Sequence, residues 1–438
     1  MGRYWFKDAV FYHIYTFSLA QAPFLNDYEE QEYRLWEIEK WIPHIKGMGF
    51  DAVLLSPVLK SRSHGYDVTD YFQIDNRIGT NEEFRSLVDR LHENGMRVVL
   101  DSVFNHCGRD FFAFRELCEG NHGYADWFSG VDFNQQSPMG DPFTYDSWSG
   151  HYELVKFNLR SEGATAYLLD AARFWMDSYD IDGMRLDSAN VMDFDFMRRL
   201  RSVTSEKKPD FWLMGEVVAG EYERWVAPGL LDSVTNYKLY KALFSSHNED
   251  NLFELADCLK RIEPDSGLPL NTFLDNHDQP RIASNVTNPE HLFTLYALLF
   301  TVPGAPAVYY GSEWGMQGVK DGGSDQPMRP YIDIENPPAD EMGLAGHINK
   351  LMEIRRSNEA LKYGSYREVY IKYHEPFAFE RSYGEERILV IINISDDEET
   401  VDFGWYTGGG LTDLMSGEDV EPEKIHLLPH SARILKNI

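Results

Sequence analysis

The sequence predicts an α/β protein built on a (β/α)8 TIM barrel, with a lobe inserted after the third strand and a small antiparallel β-domain at the C-terminal end. Three observations predict it. Short apolar runs recur along the chain, mostly alternating with amphipathic stretches, and such alternation gives a parallel sheet covered by helices. The stretch Asn105 to Lys156 is rich in Gly, Asp, Phe and Trp and has no helical period, which marks a functional insertion. From Leu361 to Ile438 apolar residues alternate as in strands, with Gly408-Gly409-Gly410 as a turn signal. The expected domains are therefore residues 1–104 and 157–360 for the barrel, 105–156 for the lobe and 361–438 for the β-domain.

In chain order, the first strand is Val10 to Thr16, where Val10, Tyr12 and Ile14 alternate with Phe11, His13 and Tyr15. A helix around Trp36 to Lys46, a strand at Ala52 to Ser56, a helix at Glu82 to Asn94 and a strand at Arg97 to Asp101 follow. After the lobe come a helix at Thr165 to Tyr179, a strand at Met184 to Asp187, a helix at Phe194 to Val203, and strands at Phe211 to Glu216 and Ser233 to Asn236. A helix at Asn251 to Arg261 and a strand at Thr272 to Asp275 precede the charge-free run His291 to Ser312. That run is long enough to span a bilayer, but Pro303, Gly304 and Pro306 cut it into a core helix and a strand, Ala307 to Tyr310. Leu344 to Arg356 is the last helix.

Lys and Arg total 41 against 71 Asp and Glu, a formal net charge of -30. A field of that sign repels phosphate backbones and anionic lipid, so nucleic acid and membranes are excluded as partners. Cys107, Cys118 and Cys258 are too few and too scattered for a disulfide framework or a zinc site, and they fit a reducing compartment. Arg3 and Lys7 before an apolar stretch imitate a signal peptide, but Asp8 and the strand-like Tyr, His and Thr content break the imitation, so a cytoplasmic location is expected. Gly2 lacks the hydroxyl residue that myristoylation needs, since Phe6 stands there.

Catalytic residues of such a barrel sit where strands end and βα loops begin. Strand 3 ends in Asp101 and runs on to Asn105-His106; strand 4 carries Arg185 and ends at Asp187. Strand 5 ends at Glu216, and strand 7 ends in Asp275-Asn276-His277-Asp278. Clustered carboxylates push one another's pKa apart, so one site can hold an ionised and a protonated acid together. Glycoside hydrolysis needs that pair. Arg185, two residues before Asp187, points to the same side of the pleat and can hold it ionised. Singly, an acid after a strand most often caps the next helix, and a lone histidine is most often structural. Joint placement on strands 3, 4, 5 and 7 favours the chemical reading.

These residues resemble the α-amylase family of glycoside hydrolases, family 13. Val99 to His106 looks like its first conserved region, Gly183-Met184-Arg185-Leu186-Asp187 like its second, Gly215-Glu216 like its third and Phe273 to Asp278 like its fourth. Ser56-Pro57 followed by His64-Gly65-Tyr66-Asp67 is similar to the family's loop after strand 2. The resemblance implies that Asp187 is the nucleophile, Glu216 the acid and base, and Asp278 the group that grips ring hydroxyls. It further implies substrate contacts from Tyr66, Asp67, His106, His277 and Arg281, with Arg185 orienting Asp187. Residues 105–156 would be domain B and the C-terminal segment the β-sandwich domain C.

Departures bear on specificity. Asn190-Val191 stands where many members have Lys-His on the leaving side. Val155-Lys156-Phe157-Asn158 looks neopullulanase-like, whereas Asn276 to Arg281 looks like exo-acting α-glucosidases. With strand 1 beginning by Val10, the extra N-terminal β-domain of maltogenic relatives is not expected. No cofactor is required; Asn105 matches a family calcium ligand without identified partners, which leaves a calcium site open. The expected partner is an oligosaccharide. The expected enzyme is a cytoplasmic retaining α-glycosidase of short α-1,4-glucans, maltodextrins or cyclomaltodextrins. A transglycosidase, a sucrose- or isomalto-oligosaccharide-active exo-glucosidase and a non-catalytic binding relative stay as alternatives.

Overall fold

The structure is a computed structural model that describes residues 4–29, 31–262, 269–407 and 409–437. Gly2 and Arg3, and Gly408 of the predicted glycine turn, lie outside the described residues. Barrel strands are β1 Phe11–Ile14, β2 Ala52–Leu55, β3 Arg97–Ser102, β4 Gly183–Leu186, β5 Trp212–Gly215, β6 Ser233–Val234, β7 Asn271–Phe273 and β8 Ala305–Tyr309. Hydrogen bonding orders them β6-β5-β4-β3-β2-β1-β8-β7 in one sheet. Thr235, the residue after β6, makes an isolated parallel bridge to Asn271 of β7, and the eight parallel strands form the nearly closed sheet of the expected barrel.

The strands form where the apolar runs are continuous because both faces of a parallel strand are buried. All four residues of β2, β4 and β5 are buried. Helix starts follow capping chemistry: Thr80 and Glu83 form a capping box before Asn81–Glu93, Ser161 caps Glu162–Ser178, Asp193 caps Phe194–Lys207 and Asn236 caps Tyr237–Asn248. None of Asp101, Asp187 and Glu216 is among these caps. The predicted helix Trp36 to Lys46 is instead two short ones, Trp36–Glu39 and Ile42–Met48, the second carrying Pro43 in its first turn, where no backbone donor is lost. The helix Tyr237–Asn248 and a hairpin of Leu59–Ser61 with Val68–Ile74 were not expected.

The chain folds as two compact units, residues 14–44 with 52–234, and residues 1–13 with 45–51 and 235–438. In the first unit the inserted stretch forms an antiparallel sheet of His106–Gly108, His151–Lys156 and Ser147–Trp148 with the helix Phe112–Cys118. The second unit holds β7, β8 and a six-stranded antiparallel sheet in which Phe377–Tyr383, Glu386–Asn393 and Ser431–Asn437 are central. One face of that sheet closes a core containing Leu389, Ile391, Leu427 and Leu435. Glu386–Asn393 also packs against the helix His291–Thr301, which is why Ile388, Val390 and Ile392 are buried too. Among the described residues no helix is long and apolar enough to cross a membrane.

Candidate active site

Parallel pairing fixes the register that builds the acidic cluster of the first unit. Asp101 of β3 stands opposite Arg185 of β4, and Arg185 stands opposite Met214 of β5. Arg185 therefore reaches sideways in both directions. Its Nη1 contacts Asp101 Oδ1 at 2.9 Å and Oδ2 at 2.7 Å and lies 3.2 Å from Asp187 Oδ1; its Nη2 contacts Glu216 Oε1 at 2.8 Å. Burial alone would pull the guanidinium's pKa down, but Asp101, Glu216, Tyr66 and Asp187 more than offset it and hold the charge firmly. One fixed cation thus holds three buried carboxylates at adjacent strand ends.

Ser188, directly after the nucleophile candidate, adds two more donors. Its backbone N–H donates to Glu216 Oε2 at 2.9 Å and its hydroxyl to Asp187 Oδ2 at 3.0 Å. That hydroxyl accepts the indole N–H of Trp148 at 2.8 Å. Tyr66 donates its hydroxyl to Asp101 Oδ2 at 2.9 Å.

Among the described residues of this unit, Asp67 Oδ1 and His106 Nε2 are buried side-chain atoms without a hydrogen-bond partner. The Asn105 amide lies 3.2 Å from His106 Nδ1, and since an amide nitrogen donates, Nδ1 accepts and Nε2 carries the proton. Burial, reinforced by His64, pushes His106 down to about 3, so the ring is a neutral donor at physiological pH. Buried donors and acceptors left open in this way suit a ligand's hydroxyls. A cleft of about 310 Å³ opens beside Glu216 and is lined by Ser188, Asn190, Val191, Val218, Trp148 and Lys156 among others. Calcium needs six to eight oxygens, and among the described residues no group of three or more His, Cys, Asp or Glu stands ready for a metal around Asn105 or elsewhere.

In the second unit, Asp278 is the most exposed of the candidate acids, its side chain at 34%. His277 Nε2 lies 3.0 Å from its Oδ2 and Arg329 Nη2 2.9 Å from its Oδ1. Arg329 also pairs with Asp325 and donates from Nε to the His277 carbonyl. Arg281 lies fully buried, its guanidinium bonded to the Met328 and Tyr310 carbonyls and the Ser312 hydroxyl.

Ser188, Trp148 and Arg329 did not emerge from the sequence. Trp148 and Arg329 are 40 and 51 positions from the residues they hold, and nothing local announces those contacts. Ser188 was legible only as the residue after Asp187.

A family model of the α-amylase catalytic domain matches residues 35–341, and one of the maltogenic amylase C-terminal domain matches residues 366–434. The chain is 31% identical to a cyclomaltodextrinase of Thermoanaerobacter pseudethanolicus, over 90% of this chain and 69% of that protein. It is 32% identical to a maltogenic alpha-amylase of Bacillus acidopullulyticus, over 89% and 70%. The ligand-free structure of a cyclic alpha-maltosyl-(1→6)-maltose hydrolase from Arthrobacter globiformis matches with a TM-score of 0.84 at 27% identity, covering 100% of both chains.

Proposed function

The chain belongs to the α-amylase family of glycoside hydrolases, and from that premise we propose that it hydrolyses α-glucosidic bonds of short α-1,4-glucans, maltodextrins and cyclomaltodextrins, with retention of configuration. One observation carries the reading: a single buried guanidinium holds Asp187 and Glu216 together at the ends of neighbouring strands, with the cleft opening beside Glu216. Retaining chemistry needs two carboxyl groups in such proximity.

In the proposed reaction Asp187 attacks the anomeric carbon while Glu216 delivers a proton to the departing glycosidic oxygen. The bond to that oxygen breaks and a glycosyl ester on Asp187 forms. Glu216, now a carboxylate, takes a proton from water as the water oxygen attacks the same carbon, and the ester bond to Asp187 breaks. Neutral His106 donates from Nε2 and Asp67 accepts at Oδ1, both toward sugar hydroxyls, and the Tyr66 ring supplies an apolar face. Asp278, steadied by His277 and Arg329, grips ring hydroxyls in this scheme.

The relatives named cyclomaltodextrinase and maltogenic alpha-amylase support maltodextrins and their cyclic forms as substrates. Three free cysteines support a reducing, cytoplasmic setting. A second reading, transfer of the glycosyl group to a sugar, is favoured by exposed Val191 and Val218 in the cleft, an apolar lining that suits a pyranose face better than water.

Incubation with maltoheptaose, cyclodextrin, pullulan, isomaltose and sucrose, with chromatography of products, tests both. Short α-1,4 products are expected, and products longer than the substrate mark transfer. Asp187→Asn is expected to lower kcat/KM by at least about 1,000-fold, on the scale of losing a covalent nucleophile. Turnover of none of these glucans, or undiminished turnover by Asp187→Asn, would refute the proposal.

A further inference from the structure

We propose that Ser188 is a positioning residue for Asp187, and that its hydroxyl, held by the Trp148 indole of the inserted lobe, sets the basicity of the nucleophile. The inference rests on the reading of Asp187 as nucleophile and extends it.

Ser188 occupies the left-handed region, with φ 51° and ψ 34°, where side-chain-bearing residues are strained. Such strain is kept where surrounding contacts over-determine it. Here three do: the backbone N–H on Glu216, the hydroxyl on Asp187 and the indole on the hydroxyl. The direction of the chain is fixed by chemistry. An indole N–H only donates, so the serine oxygen is the acceptor there and its single proton is directed to Asp187 Oδ2. Arg185 already holds Oδ1, so each oxygen of the nucleophile faces a donor. Trp148 is itself held, its ring stacked on His151 at 5.7 Å between centroids.

A donor on a carboxylate stabilises the anion and lowers its basicity. Asp187 is then a weaker attacking group and a better leaving group when the glycosyl ester is hydrolysed. The effect on Glu216 is separable, because that acid receives the backbone N–H of Ser188, which Ala and Gly at 188 retain.

The test is the pH profile of kcat/KM on maltoheptaose for wild type, Ser188→Ala, Ser188→Gly, Trp148→Phe and the double variant Ser188→Ala/Trp148→Phe. The acidic limb reports the ionised nucleophile and the basic limb the protonated acid. Loss of the hydroxyl is expected to raise the acidic limb by about one pH unit, the scale of a charge-assisted hydrogen bond, and to leave the basic limb in place. Ser188→Gly suits the left-handed backbone, so it separates the hydroxyl's effect from strain and from any folding defect of the Ala variant. Trp148→Phe is expected to move the same limb the same way by less, and to add nothing in the double variant. An acidic limb unmoved in Ser188→Gly, both limbs moving together, or a fully additive double variant would overturn the assignment. Absence of maltoheptaose turnover by the wild type would instead sink the reading of function.

Discussion

Arg185 and Arg281 are both buried arginines beside strand-end acids, and the two units use them in opposite ways. Arg185 faces Asp101, Asp187 and Glu216, a cleft opens beside Glu216, and among the described residues of the same unit His106 Nε2 and Asp67 Oδ1 are buried without a hydrogen-bond partner. Arg281 gives its donors to the Met328 and Tyr310 carbonyls and to Ser312. Its neighbour Asp275 accepts from the Ile282 backbone, at the head of a short helix, and from Ser312. Asp275 behaves as the helix-capping reading of a strand-end acid expects, whereas Asp187 and Glu216 do not. An acid at a strand end is therefore informative about chemistry only through what else its oxygens touch.

The contrast is tested most strongly by removing each cation. Arg185→Met leaves Asp101, Asp187 and Glu216 without their shared cation, and Arg281→Met leaves buried Asp275 without the nearby charge that favours its ionised form; each is expected to cost roughly 3–5 kcal/mol in urea unfolding. Arg185→Met is expected to lose far more kcat/KM than Arg281→Met when both are assayed well below their melting temperatures. Equal losses of activity would erase the contrast.

Protonation gives a smaller effect. Burial pushes His106 and His247 down to about 3 from 6.5. The unfolded chain then binds protons below pH 6.5 that the native state refuses, so stability is full above about pH 6.5 and is lost as pH falls toward 3. Each ring is expected to cost roughly 2 kcal/mol between pH 7 and pH 5, read from urea midpoints, and His247→Asn to remove its share of the slope. Both nitrogens of His247 are engaged, by the Leu243 carbonyl and Thr294, while among the described residues Nε2 of His106 has no hydrogen-bond partner. Added maltose is therefore expected to change the pH sensitivity of the wild type and not that of His106→Asn.

The smallest effects concern two tyrosine hydroxyls. Tyr66 donates to Asp101 at 2.9 Å and Tyr12 to Glu313 at 2.6 Å. Tyr66→Phe and Tyr12→Phe are each expected to lose about 1 kcal/mol of stability. Only Tyr66→Phe is expected to lower kcat severalfold, since only Tyr66 touches the Arg185 network.

Much of this was legible in the sequence for local reasons. A strand buried on both faces must be apolar throughout, so β2, β4 and β5 announced themselves. Asn236 closes a strand-like run in the sequence, yet in the structure it caps the following helix; the recurrence of Tyr237, Tyr240 and Leu243 carries the helical signal. Asp187, Glu216 and Asp278 stood out because their runs ended in acids, and the family match over residues 35–341 agrees with the fold so read.

The sequence by itself determined the periodicities, hence the elements and the barrel, because burial on a strand or helix repeats over a few residues. Only the tertiary structure decided which donor meets which oxygen. Arg185 and Asp101 are 84 positions apart, Ser188 and Trp148 are 40, and hydrogen bonds depend on tenths of an ångström between groups the chain brings together only by folding.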